Sequence, residues 1–297
     1  MKRIFLFLLT NLFMIVTLSI VASLLGVGRY MSANGINYES LIIFCLVWGM
    51  GGAFISLLLS RVIAKWSMGV KVLTSSNAGP YGWYVDLVSQ YARSAQIPMP
   101  EVGVYESPEI NGFATGPSKN RSLVALSTGL LSRMNRDEAA GVIAHEIAHI
   151  KNGDMVTMTL IQGVMNAFVM FLARVAAFAV SQTVKEESRS MVNMLVVIVL
   201  EIVLGILGST VVFWFSRQRE FRADSGSAQL AGREKMIAAL EALKRFSGIR
   251  DEQSEGHASL ATMKISGKKN SWLGFLGSTH PTLDERIARL QGFVRVV

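Results

Sequence analysis

Charge is scarce in this sequence: only 17% of its 297 residues are Asp, Glu, Lys or Arg. Soluble domains carry about 25%. With 51% hydrophobic residues and a mean hydropathy of +0.40, the shortfall argues against a wholly soluble globular protein. Cysteine is almost absent. Cys45 stands alone inside an apolar run, which excludes an intrachain disulfide framework and a cysteine-based zinc cluster. There is no cationic tract either: 29 basic against 21 acidic residues leave +8, but the basic residues stand singly or in pairs, which disfavours a nucleic-acid partner. No GxxxxGK stretch occurs, so no nucleotide-driven motor is indicated. Internal repeats and low-complexity tracts are missing as well. Histidine is limited to His145, His149, His257 and His280. Any metal site must therefore be assembled from these four and from Asp or Glu.

Long apolar runs, by contrast, are abundant. A bilayer core takes about 20 residues of apolar helix, and residues 4–28 and 40–60 both reach that length without a charge. Lys2 and Arg3 ahead of the first run, with Val21-Ala22-Ser23 inside it, invite comparison with a signal peptide. Its apolar stretch exceeds the roughly 7–15 residues of such a signal, so a retained span is expected. Two further runs, 155–184 and 190–216, carry one charge each, Arg174 and Glu201. Basic flanks set the orientation. Lys2, Arg3, Arg61, Lys65, Lys71, Lys151, Arg217, Arg219 and Arg222 lie on one side, and only Arg29, Lys185 and Arg189 on the other. Both termini and the 61–154 segment are thereby expected in the cytoplasm.

The organisation expected is two N-terminal membrane helices over 1–60, a first polar part over 61–154, a membrane hairpin over 155–216 and a second polar part over 217–297. Within the first polar part, Tyr84 to Ala95 has a helical pattern. Glu101 to Glu106 and Ser122 to Ser127 read as short strands, and Asn111-Gly112 with Gly116-Pro117 as the turn between them. The two intramembrane charges fall about 14 and 15 Å below the hairpin's outer turn at 1.5 Å per residue. An Arg174 to Glu201 pair is the inexpensive arrangement there; the alternative is a snorkelling Arg174 with Glu201 protonated or facing a watery cavity.

The chemistry is concentrated in NRDEAAGVIAHEIAHIKNGD, Asn135 to Asp154. Asn135 and Glu138 form a capping-box start and Asn152-Gly153 a stop, so the segment between is a helix. On it His145 and His149 stand at i and i+4, where two imidazoles reach one ion. Zinc takes imidazole nitrogen readily, and a catalytic site leaves one of its positions to water, whose pKa it lowers to roughly 7. Glu146 is then the general base that passes the proton on to the leaving amine. No HxxGxxH continuation follows His149, so the third ligand is expected to be a carboxylate. In FSRQREFRAD, Phe215 to Asp224, Glu220 offers that ligand, and Asp224 offers an acceptor for the free N–H of a ligand histidine. The alternative is an exposed helix face whose carboxylates pair with Arg217, Arg219 and Arg222.

Together, HEIAHIKNGDM, FWFSRQREFRAD, STHPTLDERI and INGFATG resemble the HtpX-type bacterial membrane metalloproteases, relatives of the type I, zinc-dependent CAAX prenyl proteases. The resemblance covers almost the whole chain. It implies a zinc endopeptidase acting on misfolded membrane proteins in an inner-membrane quality-control and stress system. Carried over, His145, His149 and Glu220 are the ligands of one Zn2+ per chain and Glu146 is the catalytic base. Arg222, within the ExxAD stretch, is a local departure that leaves every ligand in place.

His280, ahead of a helix that Thr282 and Glu285 begin, offers a donor to the oxyanion of the transition state; otherwise it packs a loop. His257, beside acidic 251–256, reads as a loop residue. For substrate, Ser122 to Ser127 is the candidate strand edge for pairing with an extended peptide, or else an ordinary core strand. The fold expected is mainly α: a four-helix transmembrane protein with a cytoplasmic α+β, zincin-like (HExxH, gluzincin-type) peptidase domain. Its partners are the lipid bilayer and misfolded membrane proteins, with no nucleic acid and no nucleotide. A narrow-specificity processing peptidase of the CAAX type is the nearer alternative, although those usually have more spans. A transporter with Arg174 and Glu201 along its pathway is the more distant one.

Overall fold

A computed structural model describes residues 37–250 and 280–292. The expected span at 4–28, together with His257, lies outside the described residues. In chain order the elements are α1 (Tyr38–Ser67), β1 (Lys71–Leu73), α2 (Gly82–Ser94), β2 (Glu101–Tyr105), β3 (Gly112–Ser118), β4 (Arg121–Ser127), α3 (Thr128–Arg133), α4 (Arg136–Asn152), α5 (Asp154–Ser181), α6 (Arg189–Ala231), α7 (Arg233–Arg250) and α8 (Leu283–Leu290). The described residues form two compact units, one from 37–56 with 157–212, the other from 57–156 with 213–250 and 280–292.

The first unit is helical. Among the described residues, three helices are long and apolar enough to cross a membrane: α1, α5 and the stretch Glu186–Ala231 that contains α6. Only 11% of the apolar window of the last is buried, and Ile202, Ile206 and Leu207 on it are exposed, as are Val47 and Trp48 on α1. In water such faces would drive association; lipid tails are their natural solvent. The two charges inside the apolar runs 155–184 and 190–216 meet. Arg174 Nη1 donates to Glu201 Oε1 at 2.6 Å and to the Met170 carbonyl at 3.1 Å, and its guanidinium carbon lies 5.5 Å from the Phe44 ring centroid. The expected pair is formed, and Arg174 does not snorkel away from it. Arg174→Met and Glu201→Gln should each lower the melting temperature in detergent more than the double variant does, with a coupling of about 0.5–3 kcal/mol. Strictly additive losses would mean that the pair contributes nothing.

In the second unit the sheet order is β1-β2-β4-β3. β2 and β4 run parallel, while β1 with β2 and β3 with β4 are antiparallel. Period-two alternation divides β4 between two cores. Val124 and Leu126 join the main core with α2, α4 and α7, whereas Leu123 and Ala125 pack with Tyr105, Phe113 and Ala64 from the end of α1. Two expectations are corrected here. Gly112 to Pro117 is no turn but most of strand β3, and β4 is an interior strand, hydrogen-bonded on both sides. The sheet edge on that side is β3. The misleading residues suit an edge: proline is tolerated only on edge strands or at bulges, and the register shifts between Thr115 and Ser118. Gly116 adopts φ +138, where a Cβ would lie 2.2 Å from the Arg121 carbonyl oxygen.

Helix α4 is begun by the capping box read from the sequence. The Asn135 side chain accepts from the Asp137 and Glu138 N–H groups, Glu138 returns a bond to the Asn135 N–H, and Gly153 closes the helix at φ 74. Every residue from Glu138 to Ile150 is buried. A helix enclosed on all sides holds its polar side chains in fixed positions, which the next groups exploit.

Candidate metal centre

The i, i+4 spacing on α4 brings the His145 and His149 Nε2 atoms to 3.1 Å from each other. Helix α6 comes close beside it: a Cβ on Gly226 would stand 2.8 Å from the Ala148 Cβ, and Ser227 Oγ donates to the Gly141 carbonyl at 2.9 Å. That approach delivers Glu220 and Asp224. The Glu220 oxygens lie 3.5 Å from His145 Nε2 and 3.4 Å from His149 Nε2. Asp224 Oδ1 is 3.0 Å from His145 Nδ1. Glu220 and Asp224 are 1% and 2% exposed, so the exposed helix face with arginine partners is not what this segment forms, although Arg219 does reach Glu220 Oε1 at 3.1 Å.

Two further groups went unnoticed in the sequence. Asp154, the first residue of α5, places Oδ2 2.7 Å from His149 Nδ1. Both imidazoles thus have Nδ1 against a carboxylate, which can only accept, so each donates there and turns the other nitrogen toward its neighbours. The second group is Arg286 on α8, 1% exposed. Its guanidinium grips Asp224 with two bonds, Nε to Oδ2 at 2.8 Å and Nη2 to Oδ1 at 2.6 Å, and its Nη1 stands 3.7 Å from Glu220. The only sequence hints were the aspartate that ends HEIAHIKNGD and the arginine within STHPTLDERI. His280 also arrives here, its Nδ1 2.9 Å from Glu220 Oε2. Glu146 is 4% exposed on the same buried helix.

The electrostatics favour a cation. Burial opposes charge on His145, but hydrogen bonds to Asp224 and Glu220 outweigh it and hold its pKa at about 9. Burial likewise pushes the Asp224 carboxyl up, and Arg286 and His145 more than reverse this, keeping it ionised. Glu220, beyond the apolar part of α6, is held well below the usual carboxylate range because His280, His149 and His145 together overcome its burial. A metal bound through His145 would have to displace its proton, as metal binding to histidine generally does.

Tetrahedral zinc with Zn–N bonds of about 2.0–2.1 Å requires its donors to be about 3.4 Å apart. The two imidazole nitrogens, 3.1 Å apart, stand near that spacing, each with a different Glu220 oxygen beside it at 3.5 and 3.4 Å; one ligand atom from each of the three residues lies within 4.8 Å of the others, and no other group of His, Cys, Asp and Glu among the described residues converges in this way. The donor set fits zinc. Residues 81–294 match the model of peptidase family M48.

The chain belongs to peptidase family M48. It is 54% identical to a protease HtpX homolog of Bacillus licheniformis, over 98% of this chain and 99% of that one. It is 52% identical to those of Paracidovorax citrulli and Bacillus subtilis at the same coverage. Among solved structures, S. mikatae Ste24p resembles it with a TM-score of 0.62 at 16% identity, over 96% of this chain and 66% of that chain, a likeness of fold. Membership of M48 makes the protein a metalloprotease, and its apolar helices make it a membrane one.

Proposed function

We propose that this protein is a zinc endopeptidase of the bacterial inner membrane, with four spans and its site on the cytoplasmic side, which hydrolyses misfolded or damaged membrane proteins in a quality-control and stress role. The observation that carries the reading is the convergence of His145, His149 and Glu220 with both histidines oriented through Nδ1. The full-length relatives named HtpX protease homolog and the flanking basic residues support the setting. His145, His149 and Glu220 hold the metal. When bound, zinc polarises the scissile carbonyl and makes water acidic enough to attack.

The chain's own groups do the rest. Glu146 takes the proton from the attacking water and hands it to the leaving nitrogen. Asp224 and Asp154 keep the two imidazoles in the ligating tautomer, and Arg286 keeps Asp224 ionised and in place. His280 donates to the oxyanion, a task worth about 2.7–4 kcal/mol where a single donor has been removed from other enzymes. The free side of β3 offers an extended peptide main-chain pairing without demanding a sequence. The test is to purify the protein in detergent, measure zinc per chain, and incubate it with casein with and without chelator. Stoichiometric zinc with chelator-sensitive cleavage is expected; cleavage indifferent to chelation, or a metal-free active protein, would sink the reading.

His280 gives a sharper check on roles. His280→Ala should lower kcat by about 10²–10³-fold with little change in zinc content. Because its ring touches Glu220, zinc affinity is the measurement that discriminates: a large loss of metal would make His280 a ligand or a support for one.

A further inference from the structure

The second unit carries its own marks of where the bilayer ends. On the part of α6 in this unit the exposed apolar side chains are Trp214 and Phe215, after which they stop, and Arg217 and Arg219 follow. One turn beyond, Phe221 is no longer open, because the Arg289 guanidinium covers its ring at 3.6 Å. At the end of α1, Trp66 is 87% exposed, and Arg61 and Lys65 just before it are tied to Glu101 at 2.9 and 3.0 Å. Exposed tryptophan beside paired basic residues is the signature of the interfacial layer. One metal-site group stands on the same helix α6, and another opens α5. Glu220 is six residues after Trp214 on one continuous helix, about 9 Å along its axis. Asp154, bonded to His149 at 2.7 Å, is followed immediately by the apolar run that opens with Met155.

These two marks come from different helices of the same unit. The layer between hydrocarbon and water is about 5–7 Å deep on each side, so a site about 9 Å above the tryptophan level stands only just clear of the headgroups. We propose that the fixed distance from Trp214 to Glu220 makes this site a reader of membrane-proximal peptide, acting on chain within a few residues of where it leaves the bilayer. The inference rests on the peptidase reading above and adds its substrate geometry. An extended chain rises about 3.3 Å per residue, so about three residues are needed to climb to the metal. Bonds nearer to a span than that are out of reach. Bonds just beyond are presented at high local concentration, which falls roughly as the −3/2 power of tether length.

The test uses the full-length zinc-loaded protein in lipid vesicles. A second, single-span protein in the same vesicles carries a cleavable cassette, a segment that the enzyme cuts in casein, on a flexible Gly/Ser tail. The scissile bond is placed 1, 6 or 40 residues from the span. No cleavage is expected at 1, and cleavage at 6 should exceed that at 40 by more than about tenfold. In detergent, where enzyme and substrate occupy separate micelles, the preference for 6 over 40 should vanish. Equal rates at 6 and 40 in vesicles, cleavage at 1, or a first cut only beyond about ten residues would each overturn the proposal. Casein added to the same vesicles separates the two readings. If casein is cut while the distance dependence is missing, the geometry fails and the peptidase stands; if zinc-loaded protein cuts neither casein nor any cassette, the peptidase reading itself is wrong.

Discussion

Glu146→Gln is expected to abolish proteolysis while leaving the metal in place. The side chain is buried on α4, next in sequence to His145 and enclosed on all sides by the helix packing. Gln occupies nearly the same volume, so the helix, its capping box and the positions of His145 and His149 should survive the change. What is lost is the ability to accept a proton. General-base assistance contributes about 10²–10⁴-fold, and in the proposed mechanism the same group also returns the proton to the leaving nitrogen, so the fall should reach the upper end of that range. Hydrolysis of casein and zinc per chain, measured on the same preparation, decide it. Self-cleavage during purification should disappear too. Undiminished hydrolysis in a preparation free of contaminating protease would refute the role assigned to Glu146, and loss of zinc alongside activity would show that the substitution damaged the site instead.

Much of this was legible from local signals. The HExxH helix announces itself because its start, its stop and its two imidazoles all fall within one short stretch, and each is a short-range effect: a cap, a left-handed glycine, an i, i+4 pair. The meeting of Arg174 with Glu201 could be placed by counting residues down two antiparallel helices, since a helix advances by a fixed rise. What stayed hidden depends on packing between distant segments. Arg286 lies 62 residues from Asp224 and 141 from His145 in sequence, and arginine is almost never fully buried unless paired, so nothing local marks it as interior. Asp154 looked like the residue after a helix stop, whereas it opens the next helix and bonds His149. Strand β3 was misread because Asn-Gly and Gly-Pro are turn signals in an isolated chain, and only the sheet order shows that they sit on an edge where a bulge does no harm. The same order explains why β4, continuous and apolar, could not be the edge: its buried residues need partners on both sides.

Glu220→Ala should cost the protein its metal, and the graded losses at its neighbours should reveal the hierarchy of the site. Removing Glu220 takes away one of the three proposed donors and leaves two imidazoles without the carboxylate that faces both, at 3.5 and 3.4 Å. Zinc affinity should therefore fall by more than the roughly 10–100-fold that attends loss of a partner behind a ligand. Asp224→Ala belongs in that lower range, because His145 keeps its place on α4 and loses only the acceptor at Nδ1. Arg286→Met should act on Asp224 through the opposite sign. It leaves a buried carboxylate without its two-bonded partner, a change that typically destabilises by about 3–5 kcal/mol, so the melting temperature should drop along with zinc affinity. Arg286→Lys, which restores charge without the planar fork, should recover only part of each. Metal content by elemental analysis, affinity by competition with a chelator, and melting temperature on all four variants give the order directly. Zinc retained in Glu220→Ala but lost in Asp224→Ala would reverse the assignment of the third ligand, with Asp224 at the metal and Glu220 behind it, and the short contacts of His280 and Arg219 to Glu220 would then be read as the network that orients a supporting carboxylate.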